Sequence, residues 1–226
     1  RLIKKWLKAG ILEEDGKTIN PVTGTPQGGI ISPILANIYL HFVLDIWFKR
    51  VITKKAESNA YISRYADDFV CAFRYKSDAE SFYEELQERL KKFGLELSLE
   101  KTNIITFCRF KKEQSGRFDY LGFEFRWGKS RKGKDTVKRR TSRKKLRKSI
   151  KKFTEWCKEN NDRRFRNLFE KLNAKYRGYY NYYGLIGNYD SLKEFFEISL
   201  DILYKWLNRR SQRKSMDREK FKEILG

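Results

Sequence analysis

Tyr61-Ile62-Ser63-Arg64-Tyr65-Ala66-Asp67-Asp68-Phe69-Val70-Cys71-Ala72-Phe73 sets two adjacent carboxylates between two short runs of aromatic and β-branched residues. Such runs favour strands and Asp favours turns, so the segment reads as a β-hairpin with Ala66-Asp67-Asp68 at its tip. A solvated Asp-Asp tip is the plain reading of those letters alone. The flanks, however, are apolar on both faces, which predicts a buried hairpin holding two like charges side by side. Such a pair calls for a counter-ion. Mg²⁺ suits it, because that ion takes hard oxygen ligands and is commonly held by one or two carboxylates plus phosphates.

Helices and further strands are predicted on both sides of the hairpin. Leu2 to Ala9 reads as the end of a helix capped by Gly10, and Glu13 to Lys17 as an exposed turn. Ser32-Pro33 gives an N-cap followed by Pro at the first helical position, opening a long apolar helix through about Arg50. After the hairpin, Ser77 and Glu80 form a capping box for a helix whose Phe82, Leu86, Leu90 and Phe93 share one face, and Gly94 ends it. Leu95, Leu97 and Leu99 alternate as a strand, Asn103 to Phe110 gives another, and Tyr120 to Phe125 one more. Residues 1–126 therefore read as an α+β domain with an antiparallel sheet.

The character of the chain changes near residue 127. From Arg126 to Lys152, Lys and Arg crowd the sequence against the single acidic Asp135, and the run reads as a basic linker. Three helices are predicted after it: roughly Ser142 to Lys158, Phe165 to Tyr183, and Ser191 to Arg210, the last with Ser191 and Glu194 as a capping box. Residues 127–226 thus read as a linker and an all-α bundle.

Composition limits the function. A formal charge of +22 with 15% aromatic residues suits a nucleic-acid partner better than an acidic protein or a membrane, with a basic ribosome-associated or membrane-surface protein as the alternative. Cys71, Cys108 and Cys157 are far apart and lack a C-x-x-C pair, so neither a disulfide framework nor a zinc site is indicated, and a reducing cytoplasm, such as that of a bacterium, is the expected location. The one histidine, His41, excludes His-based metal clusters and triads. No apolar run approaches the roughly 18 residues of a membrane span. The chain opens on Arg1 without a signal-peptide pattern, as though it begins partway through a longer protein.

Taken together, the motifs resemble the group II intron reverse transcriptases with their maturase domain. Gly24 to Asn37, containing Pro26, Gln27, Gly28 and Gly29, is similar to the family's segment leading into a palm helix, and Tyr65-Ala66-Asp67-Asp68 to its metal-binding hairpin. Gly94 to Thr102 and Tyr120-Leu121-Gly122-Phe123 resemble the next motif and the primer-side strand. Tyr176-Arg177-Gly178-Tyr179-Tyr180 and Trp206 to Lys214 resemble the thumb, or domain X. The likeness covers nearly the whole chain, with the motifs in the family's order. It implies a partial polymerase palm followed by a helical thumb, and RNA-directed DNA synthesis by two-metal nucleotidyl transfer, with Mg²⁺, two ions in the complete enzyme. Asp67 is then a direct metal ligand and Asp68 a second ligand or electrostatic support. Pro26, Gln27, Gly28, Gly29 and Tyr65 approach template and incoming nucleotide, since glycine admits close backbone contact. Lys101 resembles the proton donor to the leaving pyrophosphate. The implied partners are an RNA template, a DNA primer, dNTP and group II intron RNA.

The family's further catalytic Asp, its fingers strands and the HNH-type nuclease of some relatives have no counterpart in these residues, so the fragment by itself is expected not to polymerise. The basic run continues into the predicted helix at 142–158, whose Leu146, Ile150, Phe153 and Trp156 form a buried face and leave Arg143, Lys144, Arg147 and Lys148 outward for phosphates. Arg209 and Arg210 add to that surface, and Tyr182 faces away from its helix's apolar stripe as a candidate RNA contact. Two further readings stay open: a splicing maturase module that grips RNA without polymerising, and a relative recruited to CRISPR-linked spacer acquisition.

Overall fold

Val43, Leu44, Trp47, Phe48 and Ile52 are buried on one side of a long helix and build the first core of the protein. The computed structural model describes residues 5, 11–12, 18–19, 31–110, 115–210 and 216–225. It divides into two units, Arg1–Ile104 and Ile105–Gly226.

In the first unit two short strands pair antiparallel, β1 (Ile11–Leu12) and β2 (Thr18–Ile19). Helix α1 is one helical run over residues 32–55 that includes two π-type segments, His41–Asp45 and Phe48–Ile52. Each π segment closes with an i→i−5 bond, Ile46 to His41 and Thr53 to Phe48. Strands β3 (Tyr61–Tyr65) and β4 (Asp68–Ala72) form the expected hairpin, and α2 (Lys76–Lys92) lays Phe82, Leu86 and Leu90 on the α1 core. Gly94, at φ 66°, ends α2 while the Leu95 amide bonds back to the Leu90 carbonyl at 2.9 Å.

Several local expectations change. Ser32 is the first helical residue of α1, and Ile31 holds the cap position without a side-chain bond. Pro33 fits at either of the first two helical positions, so it does not fix which residue caps. Helix α2 starts one residue before Ser77, after an extended Tyr75, so Ser77 cannot cap it, and Glu80 pairs instead with Lys76 at 2.9 Å. Leu95 and Leu97 pack on the core as their alternation predicts, but no strand forms at 95–99 or 103–110 among the described residues. Alternation fixes which side chains point inward, whereas a strand also needs a partner for its backbone. The predicted helix at 2–9, apart from Lys5, the turn at 13–17 and the segment 24–30 lie outside the described residues.

The second unit begins with an antiparallel sheet, β5 (Phe118–Tyr120), β6 (Phe123–Lys129) and β7 (Asp135–Thr141), in the order β5-β6-β7. The strand expected at 120–125 is split by a two-residue turn, with Leu121 at φ 50° and Gly122 at φ 81°. The expected basic linker is in part strand. β7 pairs with β6 along its length, and ion pairs cross the ladder: Asp135 of β7 bonds Lys129 of β6 at 3.0 Å, and Glu124 of β6 holds Arg140 of β7 at 2.8 Å.

Four helices follow: α3 (Arg143–Glu159), α4 (Phe165–Tyr183), α5 (Tyr189–Asn208) and α6 (Arg218–Leu225). Ser142 caps α3 by accepting from the Lys145 amide. Helix α5 begins two residues before Ser191, so the Ser191–Glu194 box does not form. Asn188, ahead of it, instead accepts from the Thr141 amide at 2.7 Å and donates to the Tyr183 carbonyl, tying β7 to the α4–α5 corner. α6 is the helix that sequence periodicity did not announce. Phe153, fully buried, is the hub of this core, with the rings of Trp156, Tyr176 and Phe195 within 6.1 Å. The buried Tyr176 hydroxyl meets Ser199 Oγ at 2.7 Å, so its polar end is satisfied. Cys71 and Cys157 are free, and burial pushes both thiols up to about 12.

Phe153→Ala removes that hub and is expected to destabilise the second unit by roughly 3–5 kcal/mol. Urea denaturation followed by aromatic fluorescence measures it.

Candidate active site and nucleic-acid interface

β3 and β4 pair in register out to Tyr65 opposite Asp68, which leaves Ala66 and Asp67 as a two-residue turn. Ala66 takes a positive φ of 54° and Asp67 does not, the pattern of a type II′ turn, which favours glycine at its first position. A side chain there costs on the order of 1–3 kcal/mol and persists only where surrounding contacts hold it.

The hairpin is not buried as predicted. Ile62, Phe69 and Cys71 pack on the first core, while Tyr61, Tyr65, Asp67 and Asp68 are exposed. Among the described residues no third strand pairs with β3 or β4, and the side chains that pack on the core, Ile62, Phe69 and Cys71, share one face of the ribbon. The two carboxylates therefore project at an open tip, with the exposed Tyr65 ring on the residue opposite Asp68.

What fixes the tip is Arg64, whose side chain is only 12% exposed. Its Nε donates to Asp45 Oδ1 at 2.7 Å and its Nη2 to Asp45 Oδ2 at 2.6 Å, a bidentate fork. Its Nη1 donates to Asn37 Oδ1 at 2.9 Å and to the Ala66 carbonyl at 2.7 Å. Asn37, His41 and Asp45 succeed one another at four-residue spacing along α1, and His41 Nδ1 lies 3.2 Å from Asp45. The Arg64 hydrogen bonds hold the Asp45 carboxyl below the usual carboxylate value against the opposing effect of burial, with His41 adding to the same side. Sequence reading places Asp45 in an apolar helix and gives neither it nor Arg64 a role. The signal that could have found them is a carboxylate on α1 and an arginine beside a turn that needs holding.

Asp67, Asp68 and Tyr65 are thus brought together. Lys101 is not joined to them by any contact among the described residues: it is exposed in a turn where its amide bonds the Ser98 carbonyl at 3.1 Å. Pro26, Gln27, Gly28 and Gly29 lie outside the described residues. The donor set at the tip, two adjacent carboxylates open to solvent, fits a hard divalent cation that also keeps waters or phosphate oxygens. No group of three or more candidate metal ligands occurs among the described residues.

In the second unit, Arg143, Lys144, Arg147 and Lys148 are all exposed on α3, whose opposite side buries Leu146, Phe153 and Cys157. Arg143 and Arg147 line a groove of about 830 Å³ together with Arg126, Arg131, Arg139 and Arg140 from the β6–β7 ribbon. Asp190 and Glu194 stand at its wall. The helix residues are legible in the sequence, but the strand arginines are not, because the run that holds them looks like a linker. Arg209 is exposed and stacks on Trp206 at 5.0 Å. Arg210 lies over Phe165 at 4.8 Å, and burial lowers its pKa. Tyr182, a candidate RNA contact, donates to the Leu121 carbonyl at 2.9 Å and stacks on Phe123, so packing already engages it. Among the described residues no helix is long and apolar enough to cross a membrane.

Comparison with known proteins bears on the family of the chain. The family described as reverse transcriptase (RNA-dependent DNA polymerase) matches residues 1–125. The group II intron-encoded protein LtrA of Lactococcus lactis subsp. cremoris is 30% identical over 86% of this chain and 45% of its own length. A putative COX1/OXI3 intron 1 protein of Saccharomyces cerevisiae is 26% identical over 85% of this chain and 31% of its own. A telomerase reverse transcriptase of Takifugu rubripes is 27% identical over 43% of this chain and 9% of its own. The chain spans less than half the length of these relatives.

The depressed Asp45 pKa predicts a specific acid response. The Asp45–Arg64 pair contributes its full stability above the ordinary carboxylate value of 3.8 and loses it as pH falls through the lower folded value. Asp45→Asn removes that titration. Urea denaturation across pH is expected to give a stability gap between native protein and variant that narrows below about pH 4.

Proposed function

The chain belongs to the reverse transcriptase family of RNA-dependent DNA polymerases, and from that premise we propose that it carries the metal-binding hairpin of a group II intron-type reverse transcriptase and an RNA-gripping helical unit. The observation that carries this reading is the open Tyr65–Asp68 tip: two adjacent carboxylates, unshielded on the solvent side, on a ribbon whose other face is anchored in a core. In this reading Asp67 is a direct ligand of Mg²⁺, and Asp68 is a second ligand or an electrostatic support. The ion, when bound, supplies charge neutralisation at the phosphates and activation of the primer 3′-hydroxyl.

The chain's own residues do the positioning. The turn holds the carboxylates at a fixed point, and the Tyr65 ring offers a flat apolar face beside them for a sugar or base. Pro26, Gln27, Gly28 and Gly29 are proposed to bring backbone close to template and dNTP, and Lys101 to give a proton to the leaving pyrophosphate. RNA template, DNA primer and dNTP are the proposed substrates.

A maturase-type grip on structured intron RNA is the second reading, and the arginine groove favours it. Arginines of a helix and a ribbon that line one concavity suit a run of phosphate oxygens better than they suit a single small anion. The two readings concern different units and are compatible.

Each has its own test. In the natural, full-length protein, Asp67→Ala is expected to abolish primer extension on an RNA template while leaving RNA binding nearly intact; undiminished extension removes the metal-ligand assignment. Replacing Arg143, Lys144, Arg147 and Lys148 together by Gln is expected to weaken RNA binding. It should also flatten the log-log salt dependence by roughly 0.7–0.9 for each phosphate that the variant no longer neutralises. Filter binding across a salt series measures both quantities, and an affinity insensitive to salt and to the four changes sinks the RNA-grip reading.

A further inference from the structure

We propose that Arg64 is a positioning residue for metal binding at the hairpin: it latches the middle peptide of the Ala66-Asp67 turn and thereby aims the Asp67 carboxylate. The proposal rests on the reading of Asp67 as a metal ligand and assigns the device that orients it. The peptide between Ala66 and Asp67 is the one whose flip would interconvert type II′ and type I′ turns, since the two differ in φ at the second turn residue. That flip would carry Asp67 from negative to positive φ and turn the Ala66 carbonyl oxygen against its Cβ, which changes the side-chain rotamers open to its carboxylate. Arg64 Nη1 donates at 2.7 Å to the carbonyl of that peptide and so selects one orientation.

The latch is itself anchored. The fork to Asp45 and the bond to Asn37 leave the guanidinium little freedom, and both partners stand on α1, which is fixed by the buried Val43, Leu44, Trp47 and Phe48. The chain of contacts runs from a packed core through a salt bridge to a backbone carbonyl, and ends one bond from the metal-binding residue. No packing could do this work at an exposed tip. Partners that orient metal ligands from outside the ligand set are worth roughly 10- to 100-fold in metal affinity or activity when removed.

Two experiments test the proposal. In the full-length protein, Arg64→Ala and Arg64→Lys are assayed for primer extension against Mg²⁺ concentration, beside Asp67→Ala. In the 226-residue chain, NMR reads the three-bond coupling of Asp67 Hα to the Ala66 carbonyl carbon, which separates negative from positive φ, and electron paramagnetic resonance reads the affinity for Mn²⁺ alone. Arg64→Ala is expected to raise the Mg²⁺ needed for half-maximal extension and to weaken Mn²⁺ binding, each roughly 10- to 100-fold, and to shift the Asp67 coupling. Arg64→Lys keeps the charge but loses the planar fork, so it is expected to recover little of either.

Unchanged metal requirement, Mn²⁺ affinity and coupling in Arg64→Ala overturn the proposal. So does a loss of extension that only tracks the unfolded fraction, with metal affinity and Asp67 coupling unaltered in the folded molecules, because Arg64 is then a brace and no more. If Asp67→Ala itself retains extension, the metal-ligand reading fails, whereas the turn latch is still decided by the Asp67 coupling.

Discussion

The first unit depends on one guanidinium that joins a helix to a turn. A two-residue tip at the end of an exposed ribbon has no side-chain packing of its own, and Ala66 sits in backbone space that favours glycine. Something directional must hold it. Arg64 is suited to the task because its planar donors leave in fixed directions: two match a carboxylate, and the third nitrogen reaches an amide oxygen and the turn carbonyl together. A lysine in the same place would offer a point charge and could choose among the acceptors. The network thus converts the rigidity of the α1 core into a defined direction for a carboxylate that water surrounds.

The second unit solves a different problem, which is how to fold a strongly basic segment. Its interior is aromatic, with the rings of Phe153, Tyr176 and Tyr179 all meeting Phe195, and these rings need no charge to cohere. The positive charge is carried on the outer faces of α3 and on the β6–β7 ribbon. There Glu124 and Asp135 neutralise enough of it across the strands for β7 to pair. Part of what remains, including Arg131, Arg143 and Arg147, lines a groove. A surface built this way repels itself until a polyanion arrives, so the same arrangement that strains the free protein favours the bound one.

Much of this was legible in the sequence because it depends on local chemistry. The hairpin, the inward Phe82, Leu86 and Leu90 of α2 though not the exposed Phe93, the bounds of α4 and the outward arginines of α3 follow from periodicity and turn residues alone. The errors share a cause, which is that they depend on partners distant in sequence. Apolar letters on both faces of β3 and β4 predicted burial, but burial needs a neighbour on each face, and Tyr61 and Tyr65 have none among the described residues that would cover them. The Ser77–Glu80 and Ser191–Glu194 pairs have the letters of capping boxes, yet each helix starts ahead of its box and leaves no cap to make. β7 was unreadable for the opposite reason: its letters repel, and the partners that offset them, such as Glu124, lie on β6. Arg64 and Asp45 are nineteen residues apart, and no local pattern links them.

The π-type segment in α1 bears on the same network. In a regular α-helix, residues eight apart have drifted about 80° around the axis, since eight residues make more than two turns. Asn37 and Asp45 have that separation, and both reach a single guanidinium at 2.9 Å or less. The segment His41–Asp45 lies between them, and its i→i−5 bond encloses one more residue per turn than an α-helix does. Widening the turn there takes back part of the drift and returns Asp45 toward the stripe that Asn37 begins. An irregularity that weakens the helix's own hydrogen bonding therefore aligns two side chains on one partner. Its cost falls where the buried Val43 and Leu44, inside the same segment, can sustain it.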